Sequence, residues 1–298
     1  MKQIDTLCFS GGGMKGVAYH GVLSYLEKNK YISMKKIKTF AGASIGGIIS
    51  FVFTLGYTVD EIIEFTLNFN FQNLEPDINC ETIFTQYGLC TNQKIEITLI
   101  HFLKNKFNIS DVTFLELYKL TNITLILNGT NLTDYICERF DHLNTPNMSV
   151  ITALKITSCI PIYFTPILYN NKYYVDGGIS NNFPLTYCNK ETTLGLLIND
   201  DKRPIDSLQS ILLGCITTML KYQFEYYFKD YNIIELDELK IESLEYGLTK
   251  EIKQSMISMG ERCGEKYVKS LNTKQDNAEQ DNIVVNDNII QIILNITT

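Results

Sequence analysis

Residues Thr6–Phe9 form a short apolar run that stops abruptly at Ser10-Gly11-Gly12-Gly13. A helical spacing of apolar residues follows at Val17, Val22, Leu23 and Leu26. A second apolar run, Ile37–Ala41, then ends at Gly42 and leads into the apolar stretch 45–56. This order of strand, glycine loop, helix, strand, tight turn and helix restricts the chain severely. Short strands joined through helices pair in parallel, and a parallel sheet needs helices on its faces. The expected fold is therefore α/β, a three-layer α/β/α sandwich with a mostly parallel central sheet. Further strands are expected at 123–127, 173–175, 194–198 and 232–236, and helices at 61–69, 94–107, 205–228 and 250–271, with 58–110 mainly helical. No repeat or linker interrupts residues 1–271, which read as one domain. Residues 272–282 are polar and look structureless, 283–296 turn apolar again, and 272–298 read as a C-terminal tail without an assigned role.

The composition removes several function classes. With 45% apolar residues in 298 the chain is too apolar to be disordered, and 33 acidic against 26 basic residues give a net charge of -7 with no stripe for nucleic acid. Lys accounts for 23 of those 26 cations, the bias of an AT-rich coding sequence. The eight Cys lack C-x-x-C pairing and read as thiols of a reducing compartment. His20, His101 and His142 are the only histidines, none spaced with another as a metal ligand, so neither metal nor cofactor is expected. The first 13 residues lack a signal-peptide core, and the apolar run Ile45–Tyr57 is shorter than the roughly 20 residues a spanning helix needs. A cytoplasmic location is expected, with transient contact at membrane surfaces possible in principle; oligomeric state is not readable.

Three separated segments carry chemistry. Gly42-Ala43-Ser44-Ile45-Gly46 is a G-x-S-x-G between a strand and a helix. In that context small residues on either side of Ser44 allow a strained turn that presents the hydroxyl beside a helix N-terminus; elsewhere the same pentapeptide is only a tight turn. Gly11-Gly12-Gly13-Met14-Lys15-Gly16 also satisfies G-x-G-x-x-G. A dinucleotide site would need an acidic residue at the end of the next strand, where the chain instead runs into Ser44. Nor does the loop end as a phosphate-binding G-K-[ST]. What remains is an oxyanion hole built from the N–H groups of Gly12 and Gly13, with Gly11 and Gly16 serving the turn and close helix packing. The third segment, Asp176-Gly177-Gly178, ends a strand and is by itself a turn. A serine nucleophile needs a base, and no histidine lies at a strand end. His20 falls inside the first helix, so a carboxylate acting directly on Ser44 accounts for the shortage.

These segments, in this order, resemble the patatin-like phospholipases, a family of Ser-Asp dyad lipid acyl hydrolases. The flanks agree as well: Thr157-Ser158-Cys159-Ile160-Pro161-Ile162-Tyr163-Phe164-Thr165-Pro166 is similar to the family's segment before the aspartate box, and Asn182-Phe183-Pro184 to the segment after it. The resemblance is strong over residues 5–188. It implies Ser44 as nucleophile, Asp176 as base, Gly11–Gly13 as oxyanion loop, and Gly16, Gly42, Gly46, Gly177 and Gly178 as supporting positions. Cys159 departs from the usual Ala, and Lys15 from the commoner Arg. Lys15 would either meet a lipid head-group phosphate or satisfy carbonyls near the loop.

The implied substrate is a phospholipid or other lipid ester. The rivals are a non-catalytic lipid-binding protein on the same scaffold, a nucleotide-binding loop, and acyl transfer to a second lipid alcohol. Ile162, Tyr163 and Phe164 are expected to border an acyl groove, and the aromatic end of 205–228 either packs in the core or touches lipid.

Overall fold

The computed structural model describes residues 3–199, 231–237 and 241–296, with isolated positions between 205 and 228. In chain order it contains β1 (Thr6–Phe9), α1 (Val17–Lys28), β2 (Thr39–Gly42), α2 (Ile45–Thr54), α3 (Val59–Asn68), α4 (Thr82–Gln86), β3 (Gly88–Cys90) and α5 (Gln93–Phe107). There follow α6 (Phe114–Thr121), β4 (Thr124–Asn131), β5 (Ile136–Phe140), α7 (Val150–Thr157), β6 (Ile162–Phe164), β7 (Ile167–Tyr169), β8 (Lys172–Asp176) and α8 (Gly178–Asn181). After these come β9 (Thr193–Ile198), β10 (Asn232–Leu236) and α9 (Lys250–Ile296).

The described strands build an eight-stranded sheet in the order β10-β9-β1-β2-β4-β8-β7, with β5 also paired to β4. The pairings from β10 through β4 are parallel. β1 is central, and all four of its residues are buried because neighbours and covering layers shield both faces. Its alternation splits the core in two. Leu7 and Phe9 face the helical layer, where Phe9 meets Tyr19 of α1 and Phe53 of α2 at ring-centroid distances of 5.3 and 6.4 Å. Cys8 points to the opposite face with Ala41, Ile126, Phe183 and Leu185.

Two features of this sheet place the site. The register pairs Phe9 with Gly42, so the glycine loop after β1 and the turn after β2 emerge side by side. β4 outruns β2, and β8 enters antiparallel to it with Asp176 opposite Gly129. That antiparallel half was not anticipated beyond a strand near 173–175. β5 and β7 are short strands in hairpins with β4 and β8, and only the β8–β4 pairing joins this half across a long stretch of sequence.

Other expectations shift too. The span 58–110 is mostly helical but contains β3. Residues 272–282 continue α9 instead of breaking it: no Gly or Pro follows Gly264, so nothing in the backbone chemistry terminates the helix. The 205–228 segment lies largely outside the described residues. No described helix is long and apolar enough to cross a membrane.

Tyr19 ties the core to the glycine loop. Its fully buried hydroxyl donates to the Ser10 carbonyl at 2.9 Å and lies 2.9 Å from Ser10 Oγ, which accepts from the Ile198 N–H at 3.0 Å. One buried hydroxyl thus holds the end of β1 against the end of β9. Tyr19→Phe is expected to cost about 1–3 kcal/mol in urea unfolding, since buried polar partners are left unsatisfied; an unchanged midpoint and slope would show that the contact contributes nothing.

Candidate active site

Ser44 stands at the N-cap of α2 with φ 53° and ψ -128°, a backbone conformation that side-chain-bearing residues rarely adopt. The turn depends on glycine two positions to either side. A Cβ on Gly42 would lie 2.3 Å from the Gly46 carbonyl, and one on Gly46 would lie 2.4 Å from the Phe9 carbonyl oxygen. The Ser44 N–H donates to Thr157 Oγ1 at 3.1 Å, at the end of α7. The first N–H groups of α2 have no partner within their own helix and add a positive dipole end beside the hydroxyl.

Asp176 ends β8 and is 5% exposed. Its Oδ2 accepts from Ser44 Oγ at 2.8 Å, and its Oδ1 accepts from the Gly178 N–H at 2.7 Å. The backbone on either side is pinned. Asp176 N–H donates to the Cys159 carbonyl at 2.7 Å, Thr130 Oγ1 donates to the Asp176 carbonyl at 2.8 Å, and Gly177 N–H donates to the Thr157 carbonyl at 3.3 Å. Asn128 Nδ2 donates to the carbonyls of Gly177 and Asn181, both at 3.0 Å. Burial pushes the Asp176 carboxyl up to about 7, against the pull of the Gly178 N–H and the Ser44 hydroxyl. Cys159 is fully buried, its thiol donating to the Thr165 carbonyl, and burial raises its pKa well above the usual thiol range.

The glycine loop divides its work. Gly11 N–H is committed to the Asn182 carbonyl at 3.0 Å, so it has no proton to offer an oxyanion. No acceptor among the described residues takes the N–H groups of Gly12 and Gly13, and Gly13 has a positive φ of 57°. Of the three glycines expected to form an oxyanion hole, only Gly12 and Gly13 thus keep an N–H without an acceptor among the described residues, and Gly11 holds the loop. Gly16 lies against Ile45 and Ile49 of α2. Lys15 is 1% exposed, has an interaction partner and is not among the residues that line the cavity. Of the two roles expected for it, its burial supports an internal partner rather than a lipid head group.

Beside Ser44 lies a cavity of about 150 Å³. One wall is the face of α2 carrying Ile45, Ile48, Ile49 and Val52; α1, α3, α5, the segment Ser243–Tyr246 and the stretch Ser158–Phe164 contribute to the others. Of the three residues expected along an acyl groove, Phe164 lines the cavity, while Ile162 and Tyr163 do not. His101 is exposed on α5 and His142 stacks on Tyr118 at 4.0 Å. His20, set aside above as an interior helix residue, is part of the cavity wall.

A family model described as patatin-like phospholipase matches residues 7–188. The chain belongs to that family. Among curated relatives, the probable lipid hydrolase 463L of Invertebrate iridescent virus 6 is 36% identical over 189 residues, covering 62% of this chain and 63% of the viral protein. The chain thus spans slightly less than two-thirds of that relative. Among solved structures, VipD from Legionella pneumophila aligns at TM-score 0.58 and 16% identity, covering 90% of this chain and 67% of VipD. The type III effector ExoU aligns at TM-score 0.53 and 14% identity, covering 90% and 53%. Both share the fold.

Within this patatin-like site, several contributors were invisible beforehand. Thr157 and Asn182 lay inside the quoted flanking segments, so their positions carried a signal although their roles did not. Asn128 and Thr130 carried only the weak signal of polar residues in an apolar strand. The segment Ser243–Tyr246, whose Ser243 carbonyl accepts from Met14 N–H at 2.8 Å, carried none.

The raised Asp176 pKa has a consequence for stability. Between the ordinary carboxylate range and about pH 7, the folded protein keeps a proton that the unfolded chain has lost, so stability falls as pH rises through that window. Asp176→Asn removes this dependence. Its stability relative to the unsubstituted protein is expected to grow from about pH 5 to about pH 8 by on the order of 1–4 kcal/mol. Urea unfolding at a series of pH values checks this; a constant difference would mean Asp176 is not destabilised by its burial.

Proposed function

We propose that the protein is a lipid acyl hydrolase that cleaves carboxylic esters through an acyl-enzyme on Ser44. The observation that carries this reading is the 2.8 Å hydrogen bond from Ser44 Oγ to Asp176 Oδ2 beside an apolar cavity. The family membership and the name of the viral relative support the same class of chemistry.

In this reading the Ser44 hydroxyl already points its proton at Asp176. As Oγ attacks the ester carbonyl, that proton passes to Oδ2, and the tetrahedral oxyanion meets the N–H groups of Gly12 and Gly13 at the dipole end of α2. Collapse expels the alcohol, which takes the proton back from Asp176. Water then gives its proton to the same carboxylate and attacks the acyl-enzyme, releasing the fatty acid and regenerating Ser44. A carboxyl with its pKa near 7 is a better proton acceptor than an ordinary aspartate, while remaining largely ionised slightly above neutrality. The cavity wall of Ile, Val and Phe side chains suits the acyl chain, and its water exclusion strengthens the dipoles around the oxyanion.

A fluorophosphonate probe tests the assignment directly. The expected outcome is covalent labelling at Ser44, absent in Ser44→Ala and slowed at least about 100-fold in Asp176→Asn, with ester hydrolysis lost in parallel. Hydrolysis by the unsubstituted protein should rise with pH through about 7, as Asp176 ionises. An unlabelled but folded protein would favour a lipid-binding role, and full activity in either folded variant would disprove the dyad.

A further inference from the structure

Ser44 and Asp176 arrive on different elements, and the 2.8 Å bond between their side chains leaves little freedom in how those elements are spaced. α7 packs against both α2 and β8, and its last residue, Thr157, bonds to each half of the pair. The Thr157 hydroxyl oxygen accepts the Ser44 N–H at 3.1 Å, and the Thr157 carbonyl accepts the Gly177 N–H at 3.3 Å. One residue thus grips the backbone of the serine and the backbone next to the carboxylate.

The side chain is used in an unusual way. A hydroxyl within a helix commonly donates back to the carbonyl four residues earlier, as Thr54, Thr98, Thr121 and Ser158 do here. Thr157 is fully buried, and the bond accepted from Ser44 is the only one its hydroxyl makes among the described residues. Its methyl carbon Cγ2 lies against Gly47 of α2, 3.0 Å from where a Cβ on that glycine would stand. A β-branched side chain has few χ1 positions, so a methyl lodged at Gly47 keeps the oxygen turned to Ser44. As the residue that caps α2, Ser44 has no acceptor for its N–H within that helix. Thr157 supplies it, at the residue whose backbone is strained.

Resting on the acyl-hydrolase reading above, we infer that Thr157 is the positioning residue of the Ser44–Asp176 pair, its hydroxyl and its carbonyl together setting how the serine meets the carboxylate. It touches neither substrate nor the reacting atoms and acts through Ser44. Valine at this place keeps the shape of the side chain and the backbone bond to Gly177 but offers nothing to the Ser44 N–H. The serine turn then loses its tie to α7, and the hydroxyl strays from Asp176 Oδ2.

Thr157→Val is expected to lower kcat on a lysophosphatidylcholine about 10- to 100-fold with KM nearly unchanged, and to slow fluorophosphonate labelling in proportion. Thr157→Ala should do the same and carries the test if valine is not accommodated. Thr157→Ser, which keeps the oxygen but frees the rotamer, should recover part of the rate. Ser149→Ala removes the cap at the other end of α7, where Ser149 Oγ accepts from the Thr152 N–H at 3.0 Å, and should leave kcat unchanged. Undiminished kcat in the folded Thr157 variants, or an equal loss in Ser149→Ala, overturns the inference. A second readout does not depend on turnover. The Ser44 hydroxyl is one of two donors that pull the Asp176 carboxyl down, so its pKa should rise above about 7 in Thr157→Val and stay in place in Ser149→Ala. The neighbouring Cys159 thiol is kept protonated through this range by its burial. Heteronuclear NMR titration of the aspartate carboxyls follows this, the Asp176 signal being the one lost in Asp176→Asn. A rise in Thr157→Val, with no labelling or hydrolysis by the unsubstituted protein, would refute the hydrolase reading and uphold the positioning. An unmoved titration would refute the positioning whatever the turnover.

Discussion

The hydrogen bond between Ser44 and Asp176 joins residues 132 positions apart, and most of the described architecture can be traced back to it. Ser44 is brought forward by a parallel strand, and Asp176 is delivered from the opposite direction by an antiparallel one. The two meet only because β4 is long enough to pair with β2 at its start and with β8 at its end. A purely parallel sheet would send every strand out at the same edge. Here β8 runs inward and stops at Asp176, which places a carboxylate in the interior beside a nucleophile on the rim. Bonds with Thr130 and Cys159 fix the Asp176 backbone, and the Gly178 N–H holds its carboxylate.

Under the proposed mechanism, the scarcity of histidine has no bearing on the chemistry. A histidine base needs a third group to orient it, whereas a carboxylate held by its own backbone neighbours needs none. Orientation that a triad would obtain from an extra side chain comes here from the Gly178 N–H and from the strained Ser44 turn. The strain is maintained by contacts that tolerate no Cβ at Gly42 or Gly46, so it is distributed over two strands and a helix.

What could be read from the sequence follows the same division. The strand, loop and helix order of the first 56 residues is local: apolar runs, glycines and helical spacing lie next to one another, so β1, α1, β2 and α2 could be read with boundaries close to those observed. Ser44, Asp176 and the glycine loop were identified because each lies in a short segment with its own signature. The antiparallel half was largely missed because Ile136–Phe140 and Ile167–Tyr169 are too short to show a strand pattern of their own, and β8 joins β4 only across the fold. Thr157 could be quoted as part of a pattern without its bond to the Ser44 N–H being visible. Gly11 and Gly12 are the same residue in composition, and only the position of the Asn182 carbonyl tells which one has its N–H engaged. At Lys15 the sequence left two readings, a head-group contact or an internal partner, because nothing in the local pattern shows its burial.

Burial at Asp176 works in two directions at once. Removing the carboxylate from water disfavours its charge and lowers the stability of the folded protein above the ordinary carboxylate range, yet in the proposed mechanism the same removal makes it a better acceptor of the serine proton. Full neutralisation would defeat the second effect. The Gly178 N–H and the Ser44 hydroxyl, both donating to the carboxylate, pull its pKa back towards neutrality, so the group is poised near 7 rather than locked as the acid. His20 meets the same medium with the opposite result. Burial removes its charge, and no donor or acceptor among the described residues compensates at Nδ1. The two groups differ in what the protein supplies: hydrogen bonds hold the Asp176 carboxyl near neutrality, and none does so at His20 Nδ1.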